Sequence, residues 1–151
     1  MAINFLDTSA LVKRYDTREA GSARVRVLCR RASGNALALC DIARPELASA
    51  LGRKLRLGEI DRAELRRSWR RFLDHARYEY RFVPLEPSIY ARAAQLVFDH
   101  PLFAYDAVQV ACALEVRPLL AAVDPDFLFV TADQRQAAAA QAEGLPVELV
   151  G

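Results

Sequence analysis

Residues 3–11 read INFLDTSAL, an apolar, β-forming run that ends on an acid, Asp7. A carboxylate at that place loses hydration unless something pairs with it, so Asp7 is either the cap of the next element or part of a site that needs negative charge. Two further segments share the run's character: ALALC at 36–40 and FLFVT at 127–131 read as short buried strands, with weaker ones at 80–85 and 147–150. Helical patterns fall between them. Thr17 caps a helix running through Val25 and Leu28 to about Arg31. Asp41 stands at a cap position, with Pro45 in the first turn of a helix that carries Leu47, Leu51 and Leu55 and stops at Gly58. Asp61-x-x-Glu64 has the form of a capping box and opens a helix striped with Leu65, Trp69, Phe72 and Leu73. Later helices are expected from Pro87 to about Phe98, from Ala104 to about Val116, and from Asp133 to Glu143, where Gly144 ends the last. Strands that alternate with helices imply right-handed crossovers and an α/β fold whose parallel sheet is covered on both faces.

The totals agree. A chain of 151 residues, 53% hydrophobic and 26% charged with a mean hydropathy of +0.02, fits one soluble globular domain spanning 1–151. It contains neither an apolar run of membrane-spanning length nor the pattern of a signal peptide, which predicts a cytoplasmic protein with no membrane partner. Cys29, Cys40 and Cys112 are odd in number, far apart and set among apolar neighbours, the pattern of buried free thiols rather than a zinc site or a disulfide framework. Lys13 and Lys54 are the only lysines, so the basic side is arginine. Residues 53–71 hold eight basic residues against Glu59, Asp61 and Glu64, a local +5 in a chain whose total is +2. Such a segment is either a solvated helix face or a phosphate-recognising one.

In an open parallel sheet the site lies beyond the carboxyl ends of the strands. Asp7 ends the first strand and Asp133 follows the 127–131 strand, so both are expected at one crevice. Glu46 and Asp106 fall in the first turns of their helices, where the helix dipole favours an acid. Asp106 opens the apolar helix YDAVQVACAL and shares a face with Gln109, Val110 and Ala113.

Taken in order, LDTSALV with Asp7, ARPELASAL with Glu46, FAYDAVQVACAL with Asp106 and FVTADQRQAAAAQAEGLPVELV with Asp133, at separations of 39, 60 and 27 residues, resemble the PIN-domain nucleases, in particular the VapC-type toxins of toxin–antitoxin pairs. The resemblance covers nearly the whole chain. It implies a three-layer α/β/α sandwich with a central, mainly parallel sheet, and an acidic pocket that holds Mg²⁺ or Mn²⁺ and cuts RNA. It places Asp7, Glu46, Asp106 and Asp133 at the metal-site positions, with Thr8, Ser9 and Thr131 as accompanying hydroxyls. Asp41 departs from the pattern, which has Ser or Thr there more often. It is read as a plain cap or as added negative charge. The resemblance also implies an antitoxin partner and a homodimer or toxin–antitoxin hetero-oligomer.

The chemistry suits the residues. Clustered carboxylates repel, and a hard divalent cation relieves the repulsion while it activates a water and stabilises charge on the phosphate. His75 and His100 neighbour none of the four acids in sequence and are read as surface or helix-end residues, which argues against a histidine acid–base mechanism. Positive charge must then hold the RNA. Arg14, Arg117, Arg135 and the 53–71 arginines are the candidates. A phospho-receiver domain would need a lysine at a late strand end, and a haloacid-dehalogenase phosphatase a second aspartate two residues after Asp7, where Ser9 stands. The rival from another class is a catalytically weak binding module that acts through antitoxin pairing and DNA-bound repression.

Overall fold

The computed structural model describes residues 2–120 and 126–151. Its elements in chain order are β1 (Ile3–Leu6), α1 (Thr8–Tyr15), α2 (Ser22–Leu28), a single 3₁₀ turn (Arg31–Ser33), β2 (Ala36–Cys40), α3 (Ala43–Arg56), α4 (Arg62–Tyr78), β3 (Tyr80–Val83), α5 (Pro87–Asp99), α6 (Ala104–Leu120), β4 (Phe127–Thr131), α7 (Gln134–Ala142) and β5 (Val147–Leu149). The strands form one sheet in the order β3-β2-β1-β4-β5, and every pairing is parallel.

Residue alternation decides which helix covers which face. Phe5, Ala38, Cys40, Phe127 and Phe129 point into one core with Leu96 of α5, Val110 of α6 and Ala140 of α7. Leu6, Leu37, Leu39 and Val130 point the other way, onto Leu11 of α1, Val25 of α2, Leu47 of α3 and Phe72 of α4. Both faces of the sheet are therefore dry, and its strands read as apolar runs without polar alternation. The result is the expected α/β/α sandwich. Asn4, a buried polar residue in β1, is satisfied by donating to the Leu28 carbonyl at 3.2 Å, which ties the end of α2 to the sheet.

The strand order places the site. From β1 the chain moves first to β2 and β3 on one side and later to β4 and β5 on the other, so the direction of winding reverses between β1 and β4. Leu6 pairs with Val130 at that junction, immediately before Asp7 and Thr131. A crevice opens at such a switch point because the crossovers leave it in opposite directions.

Several boundaries differ from the sequence reading. Helix α1 falls where no helix was expected, directly after Asp7. The helix expected behind a Thr17 cap is shorter and Thr17 does not cap it: residues 16–21 turn to place Asp16 and Glu19 on Lys54, and α2 starts only after Gly21, whose φ of 80° lies in the left-handed region. Strand β3 stops at Val83, before Pro84, which has no N–H to continue a ladder. Helix α6 continues beyond Val116 to Leu120, through Pro118. Asp41 is not a side-chain cap: α3 has none, and the exposed Asp41 carboxylate accepts from Arg44 Nε at 2.9 Å. The Asp61–Glu64 capping box forms with both reciprocal bonds. Cys29, Cys40 and Cys112 are buried and free.

Candidate active site

Asp7 is fully buried and is the N-cap of α1. It accepts from the Ala10 N–H at 2.9 Å, from Ser9 Oγ at 2.8 Å and from Thr131 Oγ1 at 3.0 Å. Burial raises its pKa to about 6; the three donors hold it lower than burial alone would, and the Glu46 carboxylate pushes it up. The two hydroxyls also stitch the strand ends together. Ser9 Oγ accepts from the Ala132 N–H at 2.8 Å, and Thr131 Oγ1 accepts from the Asp133 N–H at 3.0 Å. Thus β1 and β4, joined by their ladder, are joined again by the polar residues just past it.

Glu46 sits half-buried in the first turn of α3. Its Oε2 accepts from Thr8 Oγ1 and from Gln109 Nε2, both at 2.6 Å, while Gln109 also donates to Thr8 at 2.9 Å. Asp106, in the first turn of α6, accepts from Gln136 Nε2 at 3.1 Å. Burial raises its pKa first, then the charges of Asp133 and Glu46; Arg135 opposes them. Asp133 caps α7, its Oδ1 accepting from the Arg135 and Gln136 N–H groups at 2.7 and 3.1 Å. The structure thus gathers the four acids at the carboxyl edge of the sheet, where Asp7 feels Glu46, and Asp106 feels both Asp133 and Glu46.

A PIN domain family model matches residues 5–142, a span that contains all four acids. The chain belongs to the PIN domain family. This PIN fold is similar to the solved structures of PAE2754 from Pyrobaculum aerophilum (19% identity, TM-score 0.62, covering 97% of this chain and 83% of that one), of VapBC2 from Rickettsia felis bound to a DNA fragment from their promoter (14%, 0.59, 99% and 99%), and of FitAcB from Neisseria gonorrhoeae (14%, 0.61, 95% and 95%). At these identities the likeness is one of fold. No curated protein matches the sequence. PIN domains are typically nucleases, and PIN nucleases generally use divalent metals.

The acidic crevice of this PIN domain fits a hard cation in charge and in donor chemistry. All four carboxylates offer oxygen, two of them have raised pKa values, and the Oε1 atoms of Gln109 and Gln136 are buried with no hydrogen-bond partner. Among the described residues no three acids converge into a ready-made cage. Mg²⁺ does not require one, since it typically takes one or two carboxylates directly and keeps several waters.

Gln109 and Gln136 are the site residues that reading the sequence missed. Each is buried and each holds one acid. Gln109 carried a signal, a polar residue inside the apolar run YDAVQVACAL on the same face as Asp106. Gln136 carried none, because it lies on a helix of mixed polarity. The basic candidates fare unevenly. Arg14 is held by Glu79 and Tyr80, each at 2.7 Å, and Arg117 donates to the Gly144 carbonyl. Arg135 lies over the Phe103 ring, 5.6 Å from its centroid, beside Asp106. Both histidines are helix-end residues, as read, but partnered rather than free: His75, in the last turn of α4, is 2.8 Å from the Tyr15 hydroxyl, and His100, the C-cap of α5, is 2.9 Å from Glu143.

Proposed function

We propose that this PIN domain is a divalent-metal-dependent endoribonuclease, the toxin of a cytoplasmic toxin–antitoxin pair, and that Asp7, Glu46, Asp106 and Asp133 form its catalytic site. The observation that carries the reading is the convergence of these acids on the switch-point crevice, where burial first and then repulsion from neighbouring carboxylates raise Asp7 and Asp106 in pKa. A cation is the means of removing that repulsion which also yields chemistry. When bound, Mg²⁺ or Mn²⁺ lowers the pKa of a coordinated water and stabilises charge on the scissile phosphate.

The chain's own residues supply the rest. Asp7 and Asp106 would hold the ion directly. Glu46 presents one oxygen, because Thr8 and Gln109 occupy the other, and so orients the attacking water or binds the ion. Asp133, with Oδ1 committed to capping α7, takes part through its second oxygen or through water. Ser9 and Thr131 fix the Asp7 carboxylate in one orientation. Arg135 and the exposed rings of Phe103 and Tyr105 form a rim beside Asp106 suited to a phosphate and an unpaired base.

The toxin assignment rests on the four-acid pattern and on likeness to folds such as that of VapBC2; an antitoxin chain and a homodimer are the partners it implies. The deciding experiment is cleavage of labelled total RNA by the purified protein and by Asp7→Asn, with Mg²⁺, Mn²⁺ or EDTA. Discrete fragments that need both metal and Asp7 are expected. Cleavage by Asp7→Asn at the wild-type rate overturns the site. Absence of cleavage together with absence of calorimetric metal binding replaces it with a binding module that acts through an antitoxin and promoter DNA.

A further inference from the structure

Six arginines gather at the other edge of the sheet. A cleft of about 450 Å³ is lined by Arg14, Arg26, Arg30, Arg31 and Arg71, and a contiguous one of about 300 Å³ shares Cys29 and Arg31 with it and adds Arg81, Tyr78 and Glu79. The elements that build both clefts, the end of α1, the end of α2, the end of α4 and the starts of β2 and β3, all lie at the amino edge of the sheet. The acids lie at its carboxyl edge, roughly 13 Å away along β2 at 3.3 Å per residue.

Charge in these clefts is nearly all of one sign and largely unspent. Glu79 is their one acid, and Arg14 already binds it at 2.7 Å. Arg26, Arg30, Arg31, Arg71 and Arg81 are exposed, and among the described residues none of them makes a salt bridge or a side-chain hydrogen bond. Such concentrated like charge is unfavourable in the free protein and calls for an anion. The geometry points to a phosphate-binding cleft that anchors the sugar–phosphate backbone of the substrate RNA at a distance from the cleavage site; its ligand class rests on the ribonuclease reading above.

Two observations favour RNA over an acidic polypeptide. Guanidinium forks from α2, its following turn and Arg71 of α4 line the first cleft and match phosphate and carboxylate alike, so the choice rests on what lies beside them. Tyr78, 68% exposed with the Arg77 guanidinium 5.2 Å from its ring centroid, lines the second cleft and offers a stacking surface for an unpaired base. The apolar anchors that a peptide would need are few here. Besides the rings and aliphatic stems already named, the first cleft offers only Ala23, Val27 and Cys29.

The test compares two triple variants that each remove three positive charges from exposed positions. One is Arg26→Ala, Arg30→Ala, Arg31→Ala in the cleft; the other is Arg62→Ala, Arg66→Ala, Arg70→Ala on α4, at residues that line neither cleft. Binding of a labelled RNA stem-loop is measured in EDTA across a salt series, with poly-glutamate as competitor, and cleavage is measured separately with Mg²⁺. The cleft variant is expected to bind about tenfold more weakly at 0.1 M salt, to lose about 2 from the slope of log affinity against log salt, and to show a raised KM with kcat unchanged. The α4 variant removes arginines of the 53–71 segment that the sequence offered as RNA-holding candidates but that line neither cleft, and it is expected to stay within about twofold of wild type, which also removes them from that role. Equal losses in the two variants overturn the anchor, because they report only diffuse charge. So does failure of the wild type to bind the RNA, or cleft-dependent binding of poly-glutamate in preference to RNA. If cleft-dependent binding occurs without any cleavage, the nuclease reading fails and the anchor stands. If cleavage occurs and the cleft variant matches wild type, the reverse holds.

Discussion

At the scale of single residues, Asp7 bears on both halves of the alternative its position raised: it caps α1, and it feels the Glu46 carboxylate. One carboxylate serves both roles because the strand-to-helix turn that needs a cap is also the turn that opens into the crevice. Its pKa of about 6 lies above the unfolded value of roughly 4, so the native state binds this proton more tightly. The contribution is therefore present below about pH 4 and is lost as pH rises through about 6, on the order of 3 kcal/mol in the absence of metal. His75, whose pKa burial lowers, contributes with the opposite sign, so the difference between wild type and Asp7→Asn isolates the effect. In EDTA, Asp7→Asn should melt higher than wild type by roughly 5 °C at pH 7.5 and by much less at pH 4.5, and Mg²⁺ should stabilise only the wild type. Equal melting shifts at the two pH values would refute it. Gln109 makes a second test. Gln109→Met removes the clamp on Glu46 together with the orphaned Oε1, so stability should change by less than about 1 kcal/mol while kcat falls about 10–100-fold. Circular-dichroism melts and single-turnover kinetics read the two effects separately.

At the scale of elements, both lysines of the chain have one task. Lys54 of α3 bridges Asp16, Glu19 and Glu59, and Lys13 of α1 reaches Glu19 at 3.3 Å, so the α1–α2 turn is pinned to α3. This network is why α2 begins late. Sequence pattern places a capping Thr at 17, but the tertiary pairing of Asp16 and Glu19 claims the segment first. Lys54→Met should cost about 1–3 kcal/mol, because it leaves the buried Asp16 without one of its partners. The lysine and Arg18 hold Asp16 down to about 2 against its burial, so the stability they confer is present above about pH 4 and is lost as pH falls toward 2. Urea titrations of wild type and Lys54→Met at pH 6 and pH 2.5 should therefore converge at the lower pH; a constant difference would refute the linkage.

At the scale of the whole molecule, the sheet is the common frame that sets the acidic crevice at one edge and the arginine clefts at the other. Phe5 lies unexposed at its centre, with ring centroids 6.2 Å from Phe127 and 5.8 Å from Phe129. Phe5→Ala should destabilise by about 3–5 kcal/mol, with near-UV signals from both helical layers lost in one transition. Two separate transitions would mean that the layers fold independently. Period and punctuation in the sequence determined the five strands, most of the helices, the α/β class and the chain positions of the four acids, since these follow from local hydrophobic pattern, caps and strand ends. Only the tertiary structure decided the strand order and therefore the switch point between β1 and β4, the glutamines that hold Glu46 and Asp106, the diversion of Arg14 onto Glu79, and the gathering of six arginines from α1, α2, its following turn, α4 and β3 at the far edge. Each of those depends on pairs distant in sequence, whose meeting is set by packing and ladder register rather than by any local preference of the chain.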